Sequence, residues 1–174
     1  MKKFFFYFTL ILLIIFIFIL LYKSIYNSNS YIPENNTDSK IQNISGKGLF
    51  LNNEINISEL VIENKFTLIN IWASWCAPCR SEHKYLMKLS NNSNINLIGL
   101  NYKDNSSNAI MFMEKFGNPF YKIIKDPDGI ISIELGAYGV PETFLINNKS
   151  KIVKKYIGEI TDKKYKEIIN IVNK

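Results

Sequence analysis

The stretch Trp72-Ala73-Ser74-Trp75-Cys76-Ala77-Pro78-Cys79-Arg80 contains both cysteines of the 174-residue chain. It follows an apolar run with strand character, residues 66–72, and it leads into a predicted helix from Pro78 to about Leu89. Two thiols at this spacing, on the first turn of a helix that follows a buried strand, are typical of a redox pair. Cys76 is expected at the helix N-terminus, where unpaired N–H groups and the helix dipole stabilise a thiolate. Cys79, one turn further on, is placed to resolve a mixed disulfide.

Other interpretations of the Cys-x-x-Cys pattern fit less well. A zinc site needs four ligands, and two cysteines and one histidine do not supply the usual set. A c-type haem site needs His directly after the second Cys, where this chain has Arg80. A structural disulfide across so short a loop would add little stability. Pro78 suits an early helical position, because its missing N–H donor is not needed there.

Two segments carry a family resemblance. The stretch from Trp72 to Arg80 resembles the active-site motif of the thioredoxin superfamily. Gly136-Ala-Tyr-Gly-Val-Pro-Glu-Thr-Phe-Leu-Ile146 is similar to the Gly-x-Tyr-Gly-x-Pro-Glu-Thr-Phe signature of the DsbE/CcmG family of thiol:disulfide interchange proteins. Residues 81–83 and Gly99-Leu-Asn-Tyr-Lys-Asp104 also match that family's pattern, and the similarity extends from about Phe66 to Lys174.

The resemblance implies a second half of the site. Val140-Pro141 matches the cis-proline position of the superfamily, where the loop lies against the redox pair. There, the residue before proline pairs through its backbone with an extended substrate peptide. Glu142 follows that proline, and Glu82 lies one turn beyond Cys79. In the family, the matching acids line a groove beside the cysteines.

Acids beside the cysteines predict the direction of electron flow. A carboxylate near Cys76 disfavours the thiolate and raises its pKa, which favours electron donation. One of the acids is expected to accept the Cys79 proton, directly or through water. Asn70 stands where thioredoxin carries a buried Asp, so the proton acceptor must come from elsewhere. For Glu82 a solvated helix face is an equally open alternative, whereas Glu142 is favoured as a site residue.

His83 has two interpretations. It falls four residues after Cys79 on the same helix side, and two thiolates with an imidazole could hold Cu(I). The favoured interpretation is an exposed helix histidine outside any metal site. Trp75 is expected to be a partly exposed aromatic residue against which substrate packs, and Trp72 is expected in the core.

Residues 1–23 are predicted to be a membrane anchor. From Phe4 to Tyr22 the chain is almost unbroken Phe, Leu, Ile and Tyr, long enough to cross about 30 Å of hydrocarbon as a helix. The amine and two lysines precede this run and one lysine follows it, which favours a cytoplasmic N-terminus and an exported C-terminal domain. A cleaved signal peptide is the alternative, but residues 21–26 offer no small-x-small cleavage site.

The remainder divides into a linker and one domain. Residues 24–39 are rich in Asn and Ser and are predicted to form a flexible tether. Residues 40–174 have the length of one domain. The net charge is +6, but without the three anchor lysines only 18 basic side chains face 15 acidic ones. Arg80 is the only arginine, and nucleic-acid binding is therefore not expected.

Hydrophobic periodicity and turn residues predict the elements of the domain. We expect a short edge strand and a turn within residues 41–60, with a short helix starting near residue 55. The other expected strands are 66–72, 95–100, 121–124, 143–146 and 152–157; the expected helices are 78–89, 105–116, 130–135 and 162–172, the last capped by Asp162. Strands that alternate with helices, followed by a hairpin and a closing helix, predict an α/β thioredoxin-like fold, a central mixed β-sheet flanked by helices.

The sequence thus predicts a membrane-anchored, exported thiol:disulfide oxidoreductase that acts as a reductant through Cys76 and Cys79, without a cofactor of its own. Resemblance to the DsbE/CcmG family implies a location at the bacterial inner membrane with the domain in the periplasm. It also implies apocytochrome c as client and a membrane thiol-electron carrier of the CcdA/DsbD type as donor. The alternatives are a broader reductase like TlpA or ResA, and, from another class, a Cu(I)-binding chaperone using the same cysteines.

Overall fold

The apolar run before the cysteines is the central strand of the sheet. The computed structural model describes residues 2–26, 41, 44–62 and 65–174. In it, the strand Phe66–Trp72 pairs in parallel with one neighbour and antiparallel with the other. Every residue after Phe66 in this strand is buried. Burial on both faces explains why the run is apolar throughout rather than alternating, because helices cover both sides of the sheet.

Six helices and seven strands occur in the part of the chain that the structure describes. In chain order they are α1 (Lys2–Tyr26), β1 (Ser45–Lys47), β2 (Glu54–Asn56), α2 (Ile57–Ile62), β3 (Phe66–Trp72), α3 (Ala77–Leu89), β4 (Ile95–Tyr102), α4 (Ser106–Phe116), β5 (Lys122–Asp126), α5 (Ile130–Glu134), β6 (Glu142–Asn147), β7 (Ile152–Ile157) and α6 (Asp162–Val172). Five strands form one sheet in the order β5-β4-β3-β6-β7. Strands β3, β4 and β5 are parallel to one another, and β6 is antiparallel to both of its neighbours, β3 and β7. This mixed sheet confirms the predicted thioredoxin-like order of elements.

The sheet separates two apolar layers. Residues of α3, α4 and α6 pack on one face, around Leu68 and Trp72 of β3. Residues of α2 pack on the other face, around Ile69 and Ile71 of the same strand. Because successive side chains of a strand point to opposite faces, this assignment also tells on which face each polar residue of β3 and β6 lies.

One edge of the sheet collects the segments singled out in the sequence. The parallel strands β3, β4 and β5 end at the same edge, and β6, which runs in the opposite direction, begins there. The cysteines therefore follow β3 at the edge where the cis-proline segment precedes β6. In α/β sheets, the loops at the carboxyl ends of parallel strands are where ligands bind.

Two local predictions differ from the structure. The cap of α6 is Thr161, whose side chain accepts the Lys164 N–H, and Asp162 is the first helical residue. Threonine at this position provides the acceptor itself, while Asp162 lies in the first turn. Residues 45–56 form a two-stranded antiparallel hairpin of their own, joined to the edge of the main sheet through a bridge between Gly48 and Ile124.

The N-terminal segment is a separate unit. The chain divides into residues 1–34 and residues 35–174. In the described part of the chain, the segment Lys2–Lys23 is the one stretch of helix that is long and apolar enough to cross a membrane. Helix α1 continues to Tyr26, and the rest of the predicted tether, residues 27–39, lies outside the described residues.

We predict that Gly99→Ala destabilises the fold by about 1–3 kcal/mol, because it overpacks a rigid part of the core. A Cβ at Gly99 would lie 2.9 Å from Trp72 Nε1 and 3.0 Å from Phe120 ring carbons. Those two rings are stacked with centroids 5.7 Å apart, so neither can move freely. Urea unfolding followed by circular dichroism measures the change. Gly139→Ala is the matched control, because its Cβ would meet nothing within 4 Å, and equal losses in both variants would contradict the prediction.

Candidate functional site

The two cysteines form a disulfide at the start of α3. Cys76 is the N-cap residue with an extended backbone, and its sulfur accepts a hydrogen bond from the Cys79 N–H at 3.1 Å. The Cα atoms are 5.3 Å apart, and both residues are only 3% exposed. Cys76 therefore lies at the positive end of the helix dipole, as predicted, where a thiolate is stabilised after reduction.

The residues around the sulfurs form the accessible rim of the site. Trp75 is 58% exposed, and its indole N–H donates to the Lys103 carbonyl at 3.1 Å. Pro78 is an exposed residue of the first helical turn, as the sequence predicts. Trp72, in contrast, is buried in the core. The indole of Trp75 thus offers an apolar surface that is held in place next to buried sulfurs.

Glu82 is buried, so the solvated interpretation of this residue is wrong. It is 0% exposed. Its Oε1 accepts a hydrogen bond from Asn70 Nδ2 at 2.8 Å, and its Oε2 accepts one from the Ile160 N–H at 2.6 Å. Asn70 also donates to Thr143 Oγ1 at 3.0 Å. The position that carries a buried Asp in thioredoxin therefore holds an amide that binds a carboxylate from the neighbouring helix.

Burial raises the pKa of Glu82 to about 7 from the ordinary value of 4.5. Loss of hydration is the dominant cause, and the hydrogen bonds from Asn70 and Ile160 oppose it only in part. Glu82 is three residues after Cys79 and on the same face of α3. A carboxyl group with a pKa near neutrality, placed one turn from a thiol, can accept and return a proton at physiological pH.

The Val140–Pro141 peptide bond is cis, as the sequence predicts. Val140 is partly buried and packs against the apolar cluster that contains both cysteines. Pro141 is buried, and its carbonyl accepts a hydrogen bond from the Gly158 N–H at 2.9 Å. This segment therefore borders the apolar cluster to which both cysteines belong.

Glu142 has a different position from the one implied by the resemblance. It is paired with Ile71 in the register of β6 and β3, so its side chain lies on the sheet face opposite to α3. Its Oε1 accepts hydrogen bonds from the N–H groups of Tyr138 and Gly139 at 2.9 and 3.1 Å. Its Oε2 lies 2.8 Å from Lys155 Nζ. The carboxylate therefore fixes the segment before the cis-proline instead of lining a groove beside Cys76.

His83 is buried, so its interpretation as an exposed helix histidine is wrong. It is 6% exposed, and its Nε2 lies 3.0 Å from the Gly117 carbonyl oxygen. The rings of Phe112 and Phe116 contact it edge-on, and burial lowers its pKa. Within the described residues, no three His, Cys, Asp or Glu side chains are grouped as a metal site, and the Nε2 atom of His83 already has the Gly117 carbonyl as its partner.

The burial of Glu82 and His83 had a signal in the sequence. Both fall on the stripe of α3 that also buries Cys79, Leu86 and Leu89, a spacing that marks the core face of a helix. The partners of Glu82 had no such signal. Ile160 is 78 residues away along the chain, and only the tertiary fold brings its N–H to the carboxylate.

Comparisons of the chain with a family model, with curated proteins and with solved structures all find thiol-redox proteins. A family model described as Redoxin matches residues 37–169. The thiol:disulfide interchange protein CycY of Rhizobium leguminosarum bv. viciae is 40% identical over 111 residues, which cover 64% of this chain and 60% of that protein. The thiol:disulfide interchange protein DsbE of Escherichia coli K12 is 38% identical over 112 residues, with 64% and 60% covered.

The chain spans about three fifths of the length of these curated relatives. Among solved structures, the thioredoxin domain of a thiol-disulfide oxidoreductase from Bacteroides vulgatus superposes with a TM-score of 0.67 at 21% identity. That superposition covers 79% of this chain and 98% of the other. It shows that the fold is thioredoxin-like.

We predict that the stability of the oxidised protein falls as pH rises from about 4.5 to 7 because of Glu82. The folded-state pKa lies above the ordinary value, so over this window the folded protein keeps a proton that the unfolded chain has released. The loss amounts to about 3 kcal/mol and levels off above pH 7. Urea unfolding at several pH values measures it.

Glu82→Gln should remove this slope while keeping the shape of the side chain. Asn70 Oδ1 is a buried acceptor that has no hydrogen-bond partner in the described part of the chain. When the Asn70 side-chain amide rotates by half a turn, this oxygen accepts a hydrogen bond from the amide of Gln at position 82. Glu134→Gln, at an exposed position of α5, is the control and should keep the wild-type slope. A slope that survives in Glu82→Gln would contradict the assignment.

Proposed function

Because the chain belongs to the Redoxin family, we propose that it is a thiol:disulfide interchange protein that reduces disulfides of other proteins outside the cytoplasm. The observation that carries this proposal is the buried Glu82 carboxyl group, one turn beyond Cys79 on the helix that begins at the redox pair. Relatives that share about 40% identity are named thiol:disulfide interchange proteins.

The first step of the proposed reaction uses Cys76. In the reduced protein, the Cys76 thiolate attacks one sulfur of the substrate disulfide, and the other substrate sulfur leaves as a thiolate that takes a proton from water. The helix N-terminus stabilises the attacking thiolate. Trp75 and the segment at Val140-Pro141 hold the substrate peptide during the attack, and Glu142 keeps that segment in place.

The second step uses Cys79 and Glu82. Glu82 accepts the Cys79 proton, and the resulting thiolate attacks the Cys76 sulfur of the mixed disulfide. The bond between Cys76 and the substrate breaks, the substrate leaves with its second sulfur as a thiolate, and the Cys76–Cys79 disulfide forms. The electron pair moves from the protein to the substrate, so no cofactor is needed.

The direction of transfer follows from the same carboxyl group. A carboxylate close to the cysteines disfavours a negative charge on sulfur, because like charges repel. A disfavoured thiolate destabilises the reduced form and makes the dithiol an electron donor. An exported dithiol in an oxidising space must then be reduced again. We propose a membrane thiol-electron carrier of the CcdA/DsbD type for that step.

The client that we propose is apocytochrome c, whose haem-attachment Cys-x-x-Cys-His must be reduced before haem is joined. The support is the similarity of residues 136–146 to the DsbE/CcmG signature. We propose that Lys2–Lys23 is an uncleaved inner-membrane anchor that leaves the domain in the periplasm, supported by its length, its apolar composition and its flanking lysines.

We predict that Cys79→Ala traps substrates on Cys76 as mixed disulfides, because the resolving thiol is absent. Non-reducing gels followed by mass spectrometry identify the trapped partners. Apocytochrome c should dominate, whereas a broad set of exported proteins would indicate a general reductase of the TlpA or ResA type. Cys76→Ser is the matched control and should trap nothing, and a chain without any covalent partner in the Cys79→Ala form would argue against the proposed function.

We predict that the reduction potential of the Cys76/Cys79 couple is at or below about −200 mV, as in reductants. Equilibration of the full chain with glutathione buffers, read by alkylation of free thiols, measures it. A value near −120 mV, typical of oxidants, would reverse the proposed direction. Tight stoichiometric Cu(I) binding without reductase activity would favour a copper chaperone instead.

A further inference from the structure

Asp104 takes no part in the two steps of the proposed reaction. It follows β4, at the end of the Gly99–Asp104 motif, and its carboxylate accepts four hydrogen bonds. Oδ2 accepts from the Ser74 N–H at 2.6 Å and from Asn101 Nδ2 at 3.0 Å. Oδ1 accepts from Ser74 Oγ at 2.7 Å and from the Asn105 N–H at 2.8 Å. Each oxygen thus has two donors.

The four contacts favour a carboxylate at position 104. Three of the four partners are N–H groups that can only donate, and an ionised acid presents two oxygens that accept without donating. An asparagine at position 104 would turn one of these oxygens into an NH2 group that faces at least one N–H donor. Hydrogen bonds to a charged acceptor are also stronger than bonds between neutral groups. Asp104→Asn is therefore a drastic change for this site although it preserves shape.

Lys103, the residue before Asp104, binds Trp75 through its backbone. The Lys103 carbonyl accepts the Trp75 indole N–H at 3.1 Å. The backbone of Lys103 is left-handed, with φ of 44°, and its own N–H donates to the Asp126 carbonyl at 2.9 Å. Residues 103 and 104 therefore hold the two residues that immediately precede Cys76.

We propose that Asp104 is a positioning residue for disulfide exchange. It fixes Ser74, two residues before Cys76, and it thereby fixes the Trp75 ring on the rim of the site. This inference rests on the proposed function, in which Cys76 attacks a substrate disulfide while Trp75 contacts the substrate. Asp104 itself touches neither the sulfurs nor the substrate. It acts by limiting the motion of the segment that presents them.

The test compares Asp104→Asn and Ser74→Ala with the wild-type full chain in detergent. Misplacement of a reacting group costs up to about a hundredfold in rate. We expect Asp104→Asn to slow reduction of a synthetic peptide disulfide about tenfold or more, while Ser74→Ala, which loses one of the four bonds, slows it less. Iodide quenching of tryptophan fluorescence should rise in the same order. Trp75 provides that signal, because Trp72 is buried.

Asp128→Asn, at an exposed position near the same edge, is the matched control and should change neither quantity. A rate and quenching in Asp104→Asn equal to wild type would overturn the proposal. A slowdown that only follows the unfolded fraction would also overturn it, since Asp104 would then serve stability alone. If wild type fails to reduce the peptide, the proposed function fails separately. Quenching and the iodoacetamide alkylation rate of Cys76 in the Cys79→Ala background then decide the role of Asp104 alone.

Discussion

The hydrogen bond between the Asn70 amide and the Glu82 carboxyl group joins the central strand to the helix that carries the cysteines. Both residues are 0% exposed, and a buried carboxyl group without partners would cost several kcal/mol. Helix α3 can therefore pack on the sheet only where Asn70 and the Ile160 N–H both reach Glu82. That requirement fixes the helix relative to β3, and with it the position of Cys76 at the end of the strand.

The two acids of the site lie on opposite faces of the sheet and have different physical roles. Glu82 is held by neutral donors on the face covered by α3, and its raised pKa lets it exchange a proton near neutral pH. Glu142 lies on the other face, where Lys155 and two backbone N–H groups satisfy it. Its carboxylate holds the segment before the cis-proline. In the proposed reaction, Glu82 therefore accepts a proton, whereas Glu142 positions the segment that contacts the substrate.

The sequence predicted the sheet and most of the site because those signals are local. Apolar runs defined β3 and β4, turn residues bounded the hairpin of β6 and β7, and the spacing of Cys76 and Cys79 located the chemistry. The environment of Glu82 and the face on which Glu142 lies could not be read in this way. They depend on the N–H of Ile160 and on the pairing of β6 with β3, which are set by contacts far apart in the chain. The cap of α6 was missed by one residue, because Thr161 and Asp162 are both good capping residues.

The distance along the chain between Glu82 and Ile160 has a consequence for how the protein matures. During synthesis, Cys76 and Cys79 emerge well before Ile160. The buried environment that gives Glu82 its proton affinity is complete only when the Ile160 N–H, between β7 and α6, has reached the carboxyl group. A partly made chain therefore carries the two cysteines without the buried environment of Glu82. In the proposed reaction, the transfer of the Cys79 proton to Glu82 becomes available only after the chain has folded as far as Ile160.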